Sequence, residues 1–138
     1  MKALVRRDEE GQILVLSALV MGLLFVPLCV LVVDTGLVEA SYAQLVETLQ
    51  ASAEDGASVI DQGVYRSSNG ETVVLDPGQA KVTVDRSMQV SRLQGLTDWQ
   101  TTVESDRVSV SAKVRVHLLV LGTATLTSSR SANFRYGQ

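Results

Sequence analysis

Few side chains in this sequence are of the kinds that carry out catalysis or bind metals. The chain has one histidine, His117, and one cysteine, Cys29. A catalytic dyad or triad built on His117 would need partners that the sequence does not mark. A zinc site usually needs about three or four His, Cys or carboxylate ligands. We therefore expect a structural role for His117 and predict no enzyme activity, no metal and no cofactor.

Motifs for nucleotide binding or metal-dependent adhesion are missing or incomplete. Neither of the common glycine-rich phosphate loops occurs in the sequence. Residues 85–89 match half of an Asp-x-Ser-x-Ser adhesion motif, but the last serine is missing and the chain is too short for that domain. A net charge of −3 without a basic stripe argues against a nucleic-acid partner.

Small residues spaced four apart form a pattern that can bring helices together. One such pair is Ala18 and Gly22, and a second is Gly36 and Ala40. In lipid these pairs let helices pack backbone to backbone, although chance recurrence in an apolar helix explains them equally well. Pro27 removes a backbone hydrogen bond and either is tolerated or acts as a hinge. The predicted helix-packing residues are Ala18, Gly22, Pro27, Asp34, Gly36, Ala40, Ser52, Ala53, Gly56 and Ala57.

The element that would position the first of these residues is a long apolar run. Residues 11–33 carry no charge, and the next basic residue after them is Arg66. The basic residues before the run are Lys2, Arg6 and Arg7. As a helix the run spans roughly 35 Å, enough to cross a hydrocarbon core of roughly 30 Å. Basic residues are retained on the cytoplasmic side, so we predict a leader of residues 1–10 inside and everything after Asp34 outside.

A cleaved secretory signal is the alternative interpretation of this run. Residues 38–40, Val-Glu-Ala, loosely resemble a small-x-small cleavage site. The apolar regions of signal peptides usually extend over only about 7–15 residues, however, and this run is much longer. The length therefore favours a retained, single-pass anchor in the cytoplasmic membrane.

Helical periodicity continues beyond the apolar run. Leu37, Leu45 and Leu49 belong to a stripe of apolar and small residues that recurs every three or four positions. No proline interrupts residues 34–66, and a Ser, Asn and Gly cluster follows them. We predict one helix of roughly fifty residues, about 75–80 Å long. Residues 34–66 are its exported, amphipathic continuation.

The remaining residues, 67–138, alternate with a period of two and predict an antiparallel β meander of about four to six strands. In the clearest strand, residues 107–116, valine and alanine alternate with polar side chains. Other candidate strands contain Val82 and Val84, Met88 and Val90, Trp99 to Val103, Thr123 to Thr127, and Ala132 to Tyr136. The expected fold class is α+β: a long N-terminal helix packed at its outer end, on Leu45, Leu49, Ala53 and Ile60, by a small antiparallel sheet.

Three segments are informative when they are taken together: Glu-Gly-Gln-Ile-Leu-Val-Leu at 10–16, Val-Val-Asp-Thr-Gly at 32–36, and Leu-Gln-Ala-Ser-Ala-Glu-Asp-Gly-Ala at 49–57. Together they resemble the N-terminal module of the TadE/TadG-like proteins of Tad (Flp) pilus assembly, which are type IV pilin-like. In that family a charged residue and a Gly precede the membrane helix, and an Asp and a Gly lie at its outer end. The matching positions are Gly11, Asp34, Gly36, Leu49, Gln50, Ala53 and Ala57.

Membership of this family implies a bitopic or pilin-like component of a cell-surface filament or a type II/IV secretion-related apparatus. It also implies a processing site between Gly11 and Gln12. Pilin-like TadE proteins carry a glutamate where this chain has Leu16. That difference favours an unprocessed, TadG-like anchored form.

Two functions follow from these observations. The leading hypothesis is a minor pilin-like or pilus-assembly protein that contacts the lipid bilayer, other pilin-like subunits and further copies of itself. The alternative is a stand-alone, membrane-tethered β module that binds an extracellular ligand, as in adhesion. Cross-linking to pilus components distinguishes the two hypotheses.

Overall fold

The structure is a computed structural model that describes the backbone of residues 2–134 and the side chains of residues 11–134. Its elements are α1 (Lys2–Ala57), α2 (Gln62–Ser67), α3 (Pro77–Val90), β1 (Leu96–Val103), β2 (Arg107–His117) and β3 (Thr123–Asn133). One long N-terminal helix and a small antiparallel sheet give an α+β fold, as the sequence predicts. The side chains of the predicted leader, residues 1–10, lie outside the described residues.

Helix α1 is one unbroken helix of 56 residues, about 84 Å long at the usual rise per residue. Pro27 lies inside it without ending it. The prediction that this helix continues to Arg66 is wrong, because α1 ends at Ala57. Ile60 then pairs with Leu75 in an isolated antiparallel bridge, and the Asp61 N–H donates to the Val74 carbonyl at 2.8 Å.

A new helix starts directly after this bridge. The Asp61 carboxylate accepts hydrogen bonds from the backbone N–H groups of Gly63 and Val64, so Asp61 is the N-cap of α2. Capping by Asp61 and pairing by Ile60 therefore replace the predicted continuation of α1. The cap is local, but the pairing depends on Leu75, a residue of another segment that the helical periodicity does not reveal.

The strands predicted around Val82 and around Met88 are also wrong, because residues 77–90 form helix α3. Asp76 caps this helix through the N–H groups of Gly78 and Gln79, and Pro77 occupies its first turn. The buried residues of α3 recur every four positions, at Ala80, Val84 and Met88. The Asp-Pro-Gly sequence at 76–78 is therefore the start of this helix.

The sheet has the order β1-β2-β3 with both pairs antiparallel, which confirms the predicted meander. The described residues contain three strands, fewer than predicted. The central strand β2 buries the predicted alternate positions, Val108, Val110, Ala112, Val114 and Val116. The predicted last strand ends at Asn133, and Tyr136 lies outside the described residues.

The core lies between the inner face of the sheet and the two helices α1 and α3. Helix α1 contacts β2, β3 and α3, and α3 also contacts β1. Leu45, Leu49 and Ala53 are fully buried there, as the sequence predicts for the outer part of the helix. The Trp99 indole N–H donates to the Asp85 carboxylate at 2.9 Å, which joins β1 to α3. The sheet, α2 and α3 thus form a head domain on the outer part of α1.

Candidate functional site

The N-terminal part of α1 over residues 11–33, which we call the inner half, has its side chains exposed all round the helix. Val30 is half-buried, and every other side chain in this range is exposed. Leu14 and Leu23, for example, are 72% and 73% exposed. Monomeric soluble proteins rarely expose contiguous apolar patches of this extent. Among the described residues, α1 is the helix that is long and apolar enough to cross a membrane.

Small residues on the exposed surface of α1, at the predicted processing site and at four predicted helix-packing positions, lie open. An added Cβ at Gly11, Gly22 or Gly36 would meet no atom within 4 Å. Ala18 and Ala40 are also exposed. These positions therefore have room for the close approach of another helix.

The four small residues further along α1 are buried inside the molecule. Ser52, Ala53, Gly56 and Ala57 pack against α3 and the sheet. A Cβ added at Gly56 would lie 2.6 Å from Cγ2 of Val84, so α1 and α3 approach too closely there for any side chain. These residues hold the head domain to α1 and are not available to a second subunit.

A short hydrogen-bonded chain connects α1 to α3 beside these small residues. The Ser52 hydroxyl donates to the Ser87 hydroxyl at 3.3 Å, and the Ser87 hydroxyl donates to the Asp55 carboxylate at 2.9 Å. Ser52 is fully buried, so its hydroxyl needs this partner. The contact is structural and fixes α3 along the helix.

Asp34 is buried under the loop between β2 and β3, although it lies at the end of an otherwise exposed run. Its side chain is 2% exposed. The N–H of Leu119 donates to Oδ1 at 2.8 Å, and the N–H of Val120 donates to Oδ2 at 3.2 Å. Each hydrogen bond to a charged group contributes about 1.5–3 kcal/mol. Asp34 therefore attaches the loop to α1 rather than packing against another helix.

The loop itself, which we call the hairpin tip, consists of residues 118–122. The Leu118 N–H donates to the Gly122 carbonyl at 2.7 Å and closes it. Gly122 has a φ of +82°, which favours glycine. Sequence reasoning named Asp34 but missed the tip as its partner; the signal was an uninterrupted apolar stretch, Leu118 to Leu121, between two alternating strands.

Strand β2 follows α1 over the whole distance from Gly56 to Asp34. Val108 lies beside Gly56 at one end, and Leu119 is bound to Asp34 at the other. The helix covers about 33 Å between its two contact points, and the strand covers about 36 Å between the corresponding residues. The two lengths agree, so the hairpin tip reaches the boundary between the head domain and the inner half of α1.

The histidine and the cysteine of the chain lie on different elements, His117 on β2 and Cys29 on α1. His117 is exposed on β2, and its Nδ1 lies 3.3 Å from the hydroxyl oxygen of Thr123 on β3. Cys29 is an exposed free thiol on the inner half. Among the described residues, no group of three or more His, Cys, Asp or Glu side chains is placed to hold a metal ion.

Two apolar surfaces of the described residues are thus exposed: the inner half of α1 and the hairpin tip beside Asp34. Both offer contact with lipid or with other apolar surfaces. Comparison of the chain with protein-family models, with curated proteins and with solved structures finds no match.

Proposed function

We propose that this chain is a minor pilin-like or pilus-assembly protein of the Tad (Flp) type. The inner half of α1 spans the cytoplasmic membrane, residues 1–10 lie inside, and the head domain lies outside. The observation that carries the proposal is the inner half itself, which is apolar on every side and continues without a break into the head domain.

Lipid is the solvent that suits such a surface. Removing one large apolar side chain from water contributes about 1.5–3 kcal/mol, and residues 11–33 contain many of them. An α-helix also pairs its backbone N–H and C=O groups internally, as a bilayer requires. The orientation rests on the basic residues of positions 1–10 and on their absence between the run and Arg66.

Assembly with other subunits is supported by the placement of the small residues around α1. At about 100° per residue, Gly11, Ala18, Gly22, Gly36 and Ala40 all fall within about 40° of one direction. The side of α1 that contacts the head domain, around Leu45, is about 160° away. These five small residues therefore lie on the side of α1 that is turned away from the head domain, where they are open to another helix.

The proposal favours the unprocessed form of the chain. Leu16 stands where pilin-like TadE proteins have a glutamate, and Gly11 lies within the unbroken helix α1. Mass spectrometry of the protein purified from membranes should therefore find residues 1–10 still attached. A mature chain that begins at Gln12 would instead assign it to the processed pilins.

Site-specific cross-linking tests the assembly role. In a Cys29→Ala background, Ala40→Cys places a thiol on the small-residue face, and Tyr42→Cys places a matched exposed thiol on another side of α1. We expect a short cross-linker with a maleimide at one end and a photoreactive diazirine at the other to join Ala40→Cys in native membranes to pilus components or to a second copy of the chain. Tyr42→Cys should yield far less product. Recovery of the monomer from both variants would favour the stand-alone tethered β module.

A further inference from the structure

We propose that the hairpin tip, residues 118–122, is a second membrane contact, inserted into the outer leaflet beside the inner half of α1. The inference rests on the membrane anchoring in the proposed function. It adds a contact made by the head domain, which the anchoring helix alone does not require.

The first observation is the composition and exposure of the tip. Leu119, Val120 and Leu121 are 68%, 71% and 68% exposed, and they are consecutive. The strand residues that flank the tip, His117 and Thr123, are polar. Three adjacent large apolar side chains at the end of a hairpin are unfavourable in water and suit insertion into a lipid interface.

The second observation is the depth of the tip along α1. Asp34 marks the end of the uncharged run, and it is bound to the N–H groups of Leu119 and Val120. Val30, about one helical turn further into the run, is half-buried, whereas the other side chains of residues 11–33 are exposed. The tip therefore overlaps the apolar run by about a turn and shares its surroundings.

The third observation concerns the backbone of the tip. A loop that enters the apolar region must pair its N–H groups within the protein, because lipid offers no acceptor. The N–H groups of Leu118, Leu119 and Val120 are all paired, the first with the Gly122 carbonyl and the other two with Asp34. Asp34 thus pairs two of the N–H groups of the tip, and the apolar side chains of Leu119 and Val120 remain exposed.

Charge further along the hairpin fits a lipid surface better than an apolar protein groove. Lys113 and Arg115 are exposed on β2, on the same side of the sheet as His117. Arg115 lies about 13 Å behind Leu119 at the usual rise of a strand. Basic side chains at that distance from an inserted tip lie near the lipid headgroups, where anionic lipids attract them.

Fluorescence quenching by lipids tests this contact on the full-length chain. In a Cys29→Ala background, an environment-sensitive fluorophore is attached to Val120→Cys at the tip or to Leu24→Cys within the inner half. Thr125→Cys, exposed on β3, is the matched control in the same hairpin. Each labelled protein is reconstituted into phosphatidylethanolamine and phosphatidylglycerol vesicles containing nitroxide-labelled lipid.

We expect nitroxide lipid to quench the labels at Val120→Cys and Leu24→Cys, each roughly twofold or more above the label at Thr125→Cys. Quenching at Leu24→Cys but not at Val120→Cys would overturn the second contact and leave the anchor intact. A blue-shifted but unquenched label at Val120→Cys would place the tip in a protein contact and also overturn the inference. If neither label is quenched, the anchor itself is wrong.

Discussion

The two halves of α1 have the same backbone conformation but opposite surroundings. In the inner half, residues 11–33, the described side chains are exposed on every side except at Val30. In the outer part, which begins at Asp34, one stripe is buried under the sheet and α3, while Glu39, Glu47 and Glu54 face outwards. Uniform apolarity suits a helix surrounded by lipid, whereas a single apolar stripe suits a helix that covers a protein core. The two halves of one helix thus have different surfaces, one apolar on every side and one with a single buried stripe.

The difference between the two halves is clearest at two glycines of α1. Gly22 and Gly56 both belong to small-residue pairs spaced four apart, yet nothing lies near Gly22, while Val84 and Val108 press against Gly56. The spacing of small residues therefore does not say whether the partner is the same chain or another one. The fold does, because α3 and β2 cover Gly56 and leave Gly22 open.

The largest expected effect comes from placing charges in the inner half. Leu19→Arg combined with Leu23→Arg adds about 5–7 kcal/mol to the cost of membrane insertion, since each central arginine costs about 2.5–3.5 kcal/mol. We expect most of the chain to leave the membrane pellet after alkaline extraction, as measured by immunoblot. The matched pair Gln44→Arg and Ala51→Arg, exposed on the outer part, should leave retention unchanged. Equal retention of both double variants would contradict the difference between the halves.

Truncating a leucine should have the opposite dependence on position, with a large effect in the outer part of α1 and a small effect in the inner half. Leu49 is fully buried, so Leu49→Ala should lower the free energy of unfolding of the head domain by about 2–5 kcal/mol. Urea unfolding of the full chain in detergent, followed by the fluorescence of Trp99, measures it. Leu24→Ala, in the exposed inner half, is the control and should change that free energy by less than about 0.5 kcal/mol. A similar loss in both variants would mean that the inner half also supports the head.

The same substitution, glycine to alanine, at Gly56 and at Gly22 compares the two halves of α1 directly. Alanine favours a helix by about 1 kcal/mol over glycine, but Gly56→Ala forces a methyl group against Val84. We expect Gly56→Ala to destabilise the head by about 1–3 kcal/mol in the same urea assay. Gly22→Ala should leave the head unaffected. A stabilised Gly56→Ala variant would show that α1 and α3 are further apart than described.

The boundary between the halves is tested by Asp34→Ala. Loss of its two hydrogen bonds should lower the free energy of local opening of the hairpin tip by at least about 1.5–3 kcal/mol, the contribution of one such bond, without unfolding the sheet. Hydrogen exchange should therefore accelerate at the amides of Leu119 and Val120 but not at Val110, in the middle of β2. Glu39→Ala, an exposed acid on the same helix, is the control. Unchanged exchange at the tip in Asp34→Ala would contradict the attachment.

Sequence alone is sufficient for the elements whose surroundings are simple. Residues 11–33 are recognisable because length and apolarity are enough to indicate a membrane-spanning helix. Strand β2 is recognisable because one of its faces is buried and the other is wet, and alternation reports that arrangement directly. For β2 the local pattern and the surroundings in the fold agree, and for residues 11–33 the structure has a helix long and apolar enough to cross a membrane.

The sequence predictions are wrong where apolar residues fit both the period of a strand and that of a helix. They are incomplete where a contact depends on a residue distant in sequence. Val82 and Val84 alternate like a strand, but Val82 is exposed and the true buried spacing is that of Ala80, Val84 and Met88. The contact of Asp34 with Leu119 joins residues 85 positions apart, so no local period reveals it. The packing role of Gly56 likewise depends on α3, a helix that the sequence pattern did not indicate.

The central claim is that the inner half of α1 lies in a bilayer with the head domain outside, and the native thiol tests it most directly. Cys29 is the chain's one cysteine and is exposed on the protein surface, so packing within the chain does not protect it. We predict that a membrane-impermeant maleimide added to intact cells leaves Cys29 unmodified until the membrane is dissolved in denaturing detergent. A Ser129→Cys thiol on the exposed side of β3, in a Cys29→Ala background, should react at once. Modification of Cys29 in intact cells at the rate of the Ser129→Cys thiol would contradict the account.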